Sequence, residues 1–286
     1  MSGKKIQVHP LASQPRECYE HELKEGRFKN IRELCRTNLI QQKNENTVRF
    51  VCISDTHGKT NELVESLPDA HVLIHAGDFS MLSGESEIRK FNDFLQTVSV
   101  KFKHIVVIAG NHEISFDENT CNKGGLLMSA IRLYNLRSPF SHDLTPAESK
   151  SLLKNCYYLQ DDSIELFGIK IFGSPWQPSH FNLAFNKSRG DALLEKWNKI
   201  PEDTDILVTH GPPLGIGDRV KQSMHVGCAE LLLTVQDRVK PRYHVFGHIH
   251  EDFGAWTDQC TTFINASICD RKYNPVHNYV IFDYRL

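Results

Sequence analysis

The chain's 8 cysteines include no Cys-x-x-Cys pair, no apolar run approaches the ~18 residues of a membrane span, and positive charge is not in excess. Each absence excludes something. Cysteines at 18, 35, 52, 121, 156, 228, 260 and 269 lack zinc-knuckle or thioredoxin spacing. The opening MSGKKIQVHP lacks an apolar signal region, so these thiols are expected to be free. Ser2 stands where myristoylation needs glycine, and no prenylation cysteine ends the chain, so the expected address is cytoplasmic. In that setting the glycosylation sequons at Asn186 and Asn265 read as chance. Lys+Arg number 33 against 35 Asp+Glu, which leaves no basic footprint for long nucleic acid and no anchor for an anionic membrane. Hydrophobic residues at 40% and charged residues at 24% exclude a disordered, collagen-like or coiled-coil chain. What the chain does have is histidine: 15, more than its 12 prolines.

Residues 1–45 are polar and poor in β-branched side chains. They read as an N-terminal extension, a flexible arm or surface strap in preference to a short helix that 31–41 could form; residues 46–286 read as a single domain. From residue 48 the texture changes. VRFVCIS (48–54), HVLIHA (71–76), HIVVIA (104–109), DILVT (205–209) and HVFG (244–247) read as buried strands. ESEIRKFNDFLQTV (85–98), the stretch 188–198 and GCAELLLTVQDRV (227–239) carry amphipathic helical spacing. Such alternation argues for an α/β domain with a substantially parallel sheet. Further strands are expected in CYYLQ (156–160), SIELFG (163–168) and IKIFGS (169–174), with a hairpin turn at Phe167-Gly168, and at 252–256, 260–265 and 277–283. Two packed sheets, each covered outside by helices, accommodate this count.

Five apolar runs end in residues of metal-ligand type: Asp55-Thr56-His57, Asp78, Asn111-His112-Glu113, His210, and His248-Ile249-His250. In α/β folds ligands bind beyond the carboxyl ends of strands, so neighbouring strands would deliver these side chains to one rim. Gly58, Gly77, Gly110, Gly211 and Gly247 sit beside the candidates, permitting tight turns and close approach of backbone. On extended chain, residues two apart share a face, so both members of Asp55/His57 and of His248/His250 can reach one metal centre. Asp55, His57, Asp78, Asn111, His210, His248 and His250 are too many donors for one tetrahedral zinc. They suit two octahedral-type ions sharing a bridging carboxylate. Mixed imidazole, carboxylate and amide donors disfavour calcium and magnesium and suit Mn, Fe, Zn or Co. Two ions about 3.5–4 Å apart clamp the attacking and leaving oxygens of a displacement at phosphorus. A single histidine at a strand end is usually a satisfied polar residue, and it is the joint recurrence that carries the inference. His9, His21, His71, His75, His104, His142, His180, His225, His244 and His277 are read as ordinary histidines; His75 and His244, on strands near the rim, either stand behind the donors or pack the core, and core packing is the favoured reading.

The ordered set Asp-x-His, Gly-Asp, Gly-Asn-His-Glu, His, Gly-His-x-His resembles that of the calcineurin-like metallophosphoesterase superfamily over roughly residues 47–286. The resemblance implies that superfamily's four-layer αββα sandwich, two mixed β-sheets flanked by helices. RFVCISDTH, IVVIAGNHE, KWNKIPEDTDILVTHGPPLG, VGCAELLLTVQDRV, HVFGHIHE and FINAS are further similar to the metallophosphoesterase-domain-containing family of intracellular cyclic-nucleotide phosphodiesterases. Some members of that branch have Gly at the first His of Gly-His-x-His; here His248 is in place, which implies a metal-competent chain. By resemblance, Asp55, His57 and His250 would bind a first ion, Asp78 would bridge, and Asn111, His210 and His248 would complete the second. His112 would be the catalytic residue beside the transferred phosphate, stabilising the transition state or protonating the leaving alkoxide. The implied activity is hydrolysis of small phosphodiesters, foremost 2′,3′- and/or 3′,5′-cyclic nucleotides, to nucleoside monophosphates. Hydroxide would form on the two ions, Mn foremost, and attack phosphorus in line. Glu113 either orients His112 or serves as a helix cap or salt-bridge partner.

Substrate contacts are assigned to Asn111, His112 and Trp176, the last in the loop GSPWQPSHFNLAFN with Phe181 and Phe185. That loop either stacks a nucleobase or is packed by its own aromatics. Phe116 and Arg189 are weaker candidates for the pocket wall. Without a large capping insertion, the cleft is expected to be open. Three other readings compete. A protein Ser/Thr phosphatase follows Gly-Asp with Val-Asp-Arg-Gly, whereas Gly77-Asp78 here leads into Phe-Ser-Met-Leu-Ser. A DNA nuclease would want a basic footprint. A nucleotide-binding scaffold with little turnover would usually have lost ligands, and none is lost. The expected partner is a small phosphodiester or nucleotide, neither a long nucleic acid nor a membrane.

Overall fold

The computed structural model describes residues 5–35, 39–40, 46–121, 144–181 and 183–286; His142 lies outside the described residues. In the first sheet β2 (Thr47–Ile53), β3 (Ala70–Ala76), β4 (Phe102–Ile108) and β5 (Tyr157–Tyr158) run parallel, and β16 (Val280–Arg285) lies antiparallel along β2. In the second, β7 (Ile169–Ser174), β10 (Ile206–Thr209), β13 (Tyr243–Phe246) and β15 (Thr262–Asn265) are parallel neighbours. Antiparallel β6 (Asp162–Leu166) extends one side, and β14 (Gly254–Thr257) then β1 (Arg32–Glu33) extend the other. Two ribbons complete the strands, β8 (Gln177–Pro178) with β9 (Asn186–Lys187) and β11 (Arg219–Val220) with β12 (Met224–His225).

Strand periodicity explains the layers. Alternate side chains Phe50 and Cys52, Val72 and Ile74, Val106 and Ile108 pack with Ile169, Ile171, Ile206, Val208, Val245 and Ile264 of the second sheet. The intervening Val51, Ile53, Leu73 and Val107 share a separate core with Ile88, Phe91, Leu95 and Val98 of α-helix Glu85–Val98. Leu207, Phe246 and Phe263 meet the same core, which takes in Trp197 of helix Asp191–Trp197 and Leu231 of helix Ala229–Leu233. Both faces of each sheet are therefore buried, as continuous apolar runs demand. Two mixed sheets face each other with helices outside. Phe167 (φ 56°) and Gly168 (φ 74°) form the left-handed pair that joins β6 to β7. Among the described residues, no helix is long and apolar enough to cross a membrane.

Of the stretch 31–41, where a short helix is the alternative to a strap, residues 36–38 and 41 lie outside the described residues. Arg32 and Glu33 are strand, paired with Thr257 and Trp256, while the helix lies earlier, at Pro15–Lys24. Proline at its first turn and Glu17 behind it are helix-start signals. Ile6, His9, Ala12, Cys18 and Glu22 are buried against the domain, and Arg27 bonds Asp237 at 2.9 Å.

Candidate metal centre

The donor residues leave the ends of five parallel strands. Asp55 and His57 follow β2, Asp78 follows β3, and Asn111, His112 and Glu113 follow β4; His210 follows β10, and His248 and His250 follow β13. Asp55 (φ 53°), His57 (φ 43°), Asp78 (φ 55°) and His248 (φ 68°) all adopt left-handed backbone. For residues with a Cβ this costs on the order of 1 kcal/mol or more each, and it persists only where neighbours impose it. Here Asp55 N donates to Gly77 O, His57 N to Asp78 O, and His248 N to the Asp55 carboxylate at 2.9 Å. A Cβ on Gly247 would collide with Asp55 and Ser54, which is why only glycine fits before His248.

These turns bring the donors into groups whose ligand atoms lie within 4.8 Å of one another: Asp55, His57 and His250 in one, Asp78, His210 and His248 in another, and His57, Asp78 and His112 between them. His250 Nε2 is 3.3 Å from Asp55 Oδ1 and 3.3 Å from His57 Nε2. His210 Nε2 lies 3.3 Å from Asp78 Oδ2 and 3.0 Å from Asn111 Oδ1. His248 and His250 fall into separate groups of the same rim, with left-handed backbone at His248. That partition is the one the family resemblance implies.

Backbone carbonyls fix three of the rings. His210 Nδ1 is 2.9 Å from Ala76 O, His250 Nδ1 2.9 Å from Asp270 O, and His112 Nδ1 2.6 Å from Met81 O. A carbonyl only accepts, so each Nδ1 carries the proton and each Nε2 faces the centre. Ser267 Oγ donates to Asp55 Oδ2 at 2.8 Å. Glu113 precedes the 3-10 turn Ile114–Phe116, but its side chain makes no cap bond there. Its carboxylate accepts from the N–H groups of Asp78, Ser80 and Gly110 and from Ser80 Oγ, tying the β3 and β4 loops together.

Charge is unbalanced here. Among the described residues neither Asp55 nor Asp78 has an arginine or lysine partner. Burial opposes their ionisation, yet His250 holds the Asp55 carboxyl, and His210 and His112 the Asp78 carboxyl, well below the usual range. Burial works against a charged His210, but Asp78 and then Asp55 pull its pKa up to about 9. Burial pushes His57 and His248 far down, leaving neutral imidazoles. Two buried carboxylates that draw protons onto a histidine, with further neutral imidazoles, an amide and no thiolate, fit a pair of transition-metal cations.

A profile of the family "Calcineurin-like phosphoesterase" matches residues 48–252. The chain belongs to the calcineurin-like metallophosphoesterases. It is 44% identical to human metallophosphoesterase domain-containing protein 1, covering 97% of this chain and 84% of that protein. It is 43% identical to a Caenorhabditis elegans protein, UPF0046 protein C25E10.12, covering 99% and 96%. The fold is similar to that of phosphopantetheinyl hydrolase from Mycobacterium tuberculosis, with a TM-score of 0.54 at 14% identity over 84% of this chain and 97% of that one.

Above the donors the phosphoesterase opens a cleft of about 520 Å³, lined by Asp78, Asn111, His112, His248 and His250, by Met224 of β12 and by loop residues that include His180, Phe181, Arg271 and Tyr273. Trp176 is not among them. It is 5% exposed, donates from Nε1 to Asp161 Oδ2 at 3.0 Å and lies under the Lys196 ammonium, so it packs the loop from within and is corrected to a structural residue. Phe185, packed against it, and Phe116, against Phe79, are likewise buried. Arg189 lines the cleft, but its guanidinium is committed to Gly227 O and Val226 O. Phe181, 57% exposed, is the aromatic of that loop that faces outward. Sequence reasoning missed two residues here. His180 stands edge-on to His248 at 5.3 Å, and Tyr273 edge-on to His57 at 4.6 Å. Neither follows an apolar strand, the only signal used to find donors. Asn265 is fully buried, with its amide donating to Gly217 O and Ile249 O, which leaves no room for a glycan.

Proposed function

We propose that this phosphoesterase hydrolyses small phosphodiesters, foremost 2′,3′- and/or 3′,5′-cyclic nucleotides, to nucleoside monophosphates, using two transition-metal ions of which manganese is the first choice. The observation that carries the reading is Asp78, which belongs both to the group with His210 and His248 and to the group with His57 and His112. Asp55, His57 and His250 would hold one ion, Asn111, His210 and His248 the other, and Asp78 both. When bound, such a pair neutralises phosphoryl oxygens and acidifies water toward neutrality.

The chain's own residues set up the rest. The Nδ1 proton of His112 is committed to Met81 O, so Nε2, 4.0 Å from Asp78 Oδ2, is the atom that can protonate a leaving alkoxide. General-acid help of this kind is worth about 10²–10⁴-fold. Phe181 and Met224 offer exposed apolar surface for a base, and Lys221 and Arg271 offer charge at the same cleft. Its volume of about 520 Å³ lies within the ~300–1,000 Å³ of small-ligand pockets.

The test is hydrolysis by the chelated, Mn-reconstituted protein of bis-p-nitrophenyl phosphate, 2′,3′-cAMP, 3′,5′-cAMP and p-nitrophenyl phosphate. Mn-dependent cleavage with a cyclic nucleotide among the best substrates is the expected result. Preference for the monoester would overturn the diester assignment, and tight nucleotide binding without turnover would favour a binding protein.

A further inference from the structure

We propose that two buried histidines assigned to core packing by the sequence, His75 and His244, are positioning residues: each anchors, through a threonine hydroxyl, the chain that delivers one donor histidine, His57 toward one ion and His210 toward the other. The inference rests on the two-ion reading and deepens it.

The two sheets carry the same device. His75 lies on β3 opposite Ile53 of β2, and its Nε2 is 2.9 Å from Thr56 Oγ1. His244 lies on β13 opposite Leu207 of β10, and its Nε2 is 2.8 Å from Thr209 Oγ1. All four residues are wholly buried. Each threonine immediately precedes a donor histidine, Thr56 before His57 and Thr209 before His210. Each imidazole stands beside two phenylalanine rings, Phe79 and Phe91 for His75, Phe246 and Phe263 for His244.

The direction of one bond follows from counting protons. Thr209 Oγ1 also lies 2.7 Å from Gly211 O, which only accepts, so the hydroxyl proton goes there. The remaining contact must then be donated by His244 Nε2–H. This ring holds its proton on Nε2 and leaves Nδ1 bare, in keeping with a buried Nδ1 that has no partner. His75 Nδ1 is buried without a partner as well. An apolar side chain would fill either position without that half-satisfied ring, so packing alone does not account for the choice. What histidine adds is a hydrogen-bonding nitrogen aimed from the neighbouring strand at the hydroxyl beside a donor turn, a donor in the case of His244. His57 needs such a hold because its turn is left-handed at φ 43°. His210 needs it because its Nε2 must stay near both Asn111 and Asp78.

The experiment is Mn titration of the chelated full-length chain, with free Mn read by electron paramagnetic resonance and the metal-free melting temperature measured alongside. Thr56→Val and Thr209→Val remove only the hydroxyl at constant volume; His75→Phe and His244→Phe remove the ring nitrogen that meets it; His75→Gln and His244→Gln keep a hydrogen-bonding amide at that position. Each Val or Phe variant should weaken one of two Mn ions by about 10–100-fold, the usual cost of losing a partner behind a ligand. The double Val variant should weaken both ions, and the Gln variants should bind as the wild type does. Wild-type affinity for both ions in the Val variants, or Gln variants no better than Phe, would overturn the inference while the two-ion reading stands. A wild-type chain that takes fewer than two ions would overturn that reading and this inference with it.

Discussion

Among the described residues, two places gather metal-ligand side chains within 4.8 Å: the strand-end rim, and His9, His21 and Glu22 in the N-terminal segment. They differ in what already neutralises the carboxylate. Arg27 Nε sits 2.6 Å from Glu22 Oε2, and His9 and His21 reach Oε1 at 3.1 and 3.2 Å. His9 Nδ1 is in turn engaged by Leu11 N and Cys18 Sγ. At the rim, among the described residues, no guanidinium or ammonium meets Asp55 or Asp78, and left-handed turns aim imidazole nitrogens at them. Ligand-type residues in proximity do not make a metal site. A pair of buried carboxylates balanced only by histidines, whose protons a metal can displace, does, and of the two places the rim is the one that has it.

The sharpest way to break this contrast is Asp78→Ala, which removes the carboxylate shared by the donor groups. Both ions should be lost, and with them several kcal/mol of transition-state stabilisation, about 10³-fold or more in rate. Metal analysis and Mn-dependent turnover check this, and activity retained at saturating Mn would defeat the shared-ligand arrangement. His248→Gly is the next largest. It should leave the Asp55, His57 and His250 group intact and weaken the other ion by at least about 10–100-fold. The melting temperature of the metal-free protein should barely move. Unchanged kinetics would remove His248 from the donor set.

Legibility in the sequence followed the same divide. The rim was readable because each donor sits at the end of an apolar run beside a glycine, and strand ends of an α/β sheet converge. The α-helix at Glu85–Val98 was readable from period alone. Local geometry was not: nothing in the residue types discloses that Asp55, His57, Asp78 and His248 all take left-handed backbone. Trp176 was misplaced because an aromatic-rich loop does not disclose which ring faces out; Phe181 does, while Trp176 is held by Asp161. His180, Tyr273 and Ser267 reach the site from loops, where spacing carries no directional information. The N-terminal helix was missed although Pro15 marks its start.

Acid and base should separate the two regions. In the metal-free protein the pKa of His210 is raised to about 9. A group raised above its unfolded value stabilises fully below about 6.5 and loses that contribution as pH climbs through the folded value. Metal-free stability should therefore decline between about pH 6.5 and 9. Mn must displace that proton, so apparent affinity should rise over the same window, by up to about tenfold per pH unit. Melting curves with and without Mn should slope in opposite directions, and parallel slopes would count against imidazole ligation by His210. Glu22 works in another range. Burial raises its pKa, but Arg27 outweighs that and leaves it below 4.5, so its contribution is lost only as pH falls through the acid range.

The smallest effect is expected at the N-terminal group itself. Glu22→Gln keeps the volume and removes the charge. Arg27 retains Asp237 at 2.9 Å, so the guanidinium is not abandoned. The cost should be that of a charged hydrogen bond in a nearly buried place, about 1–3 kcal/mol, or a few degrees of melting temperature at this size. Mn stoichiometry and turnover should not change, because nothing in that cluster faces the cleft. If Glu22→Gln instead releases a metal ion, the guanidinium does not mark a carboxylate as closed to cations, and the rim loses the feature that distinguishes it.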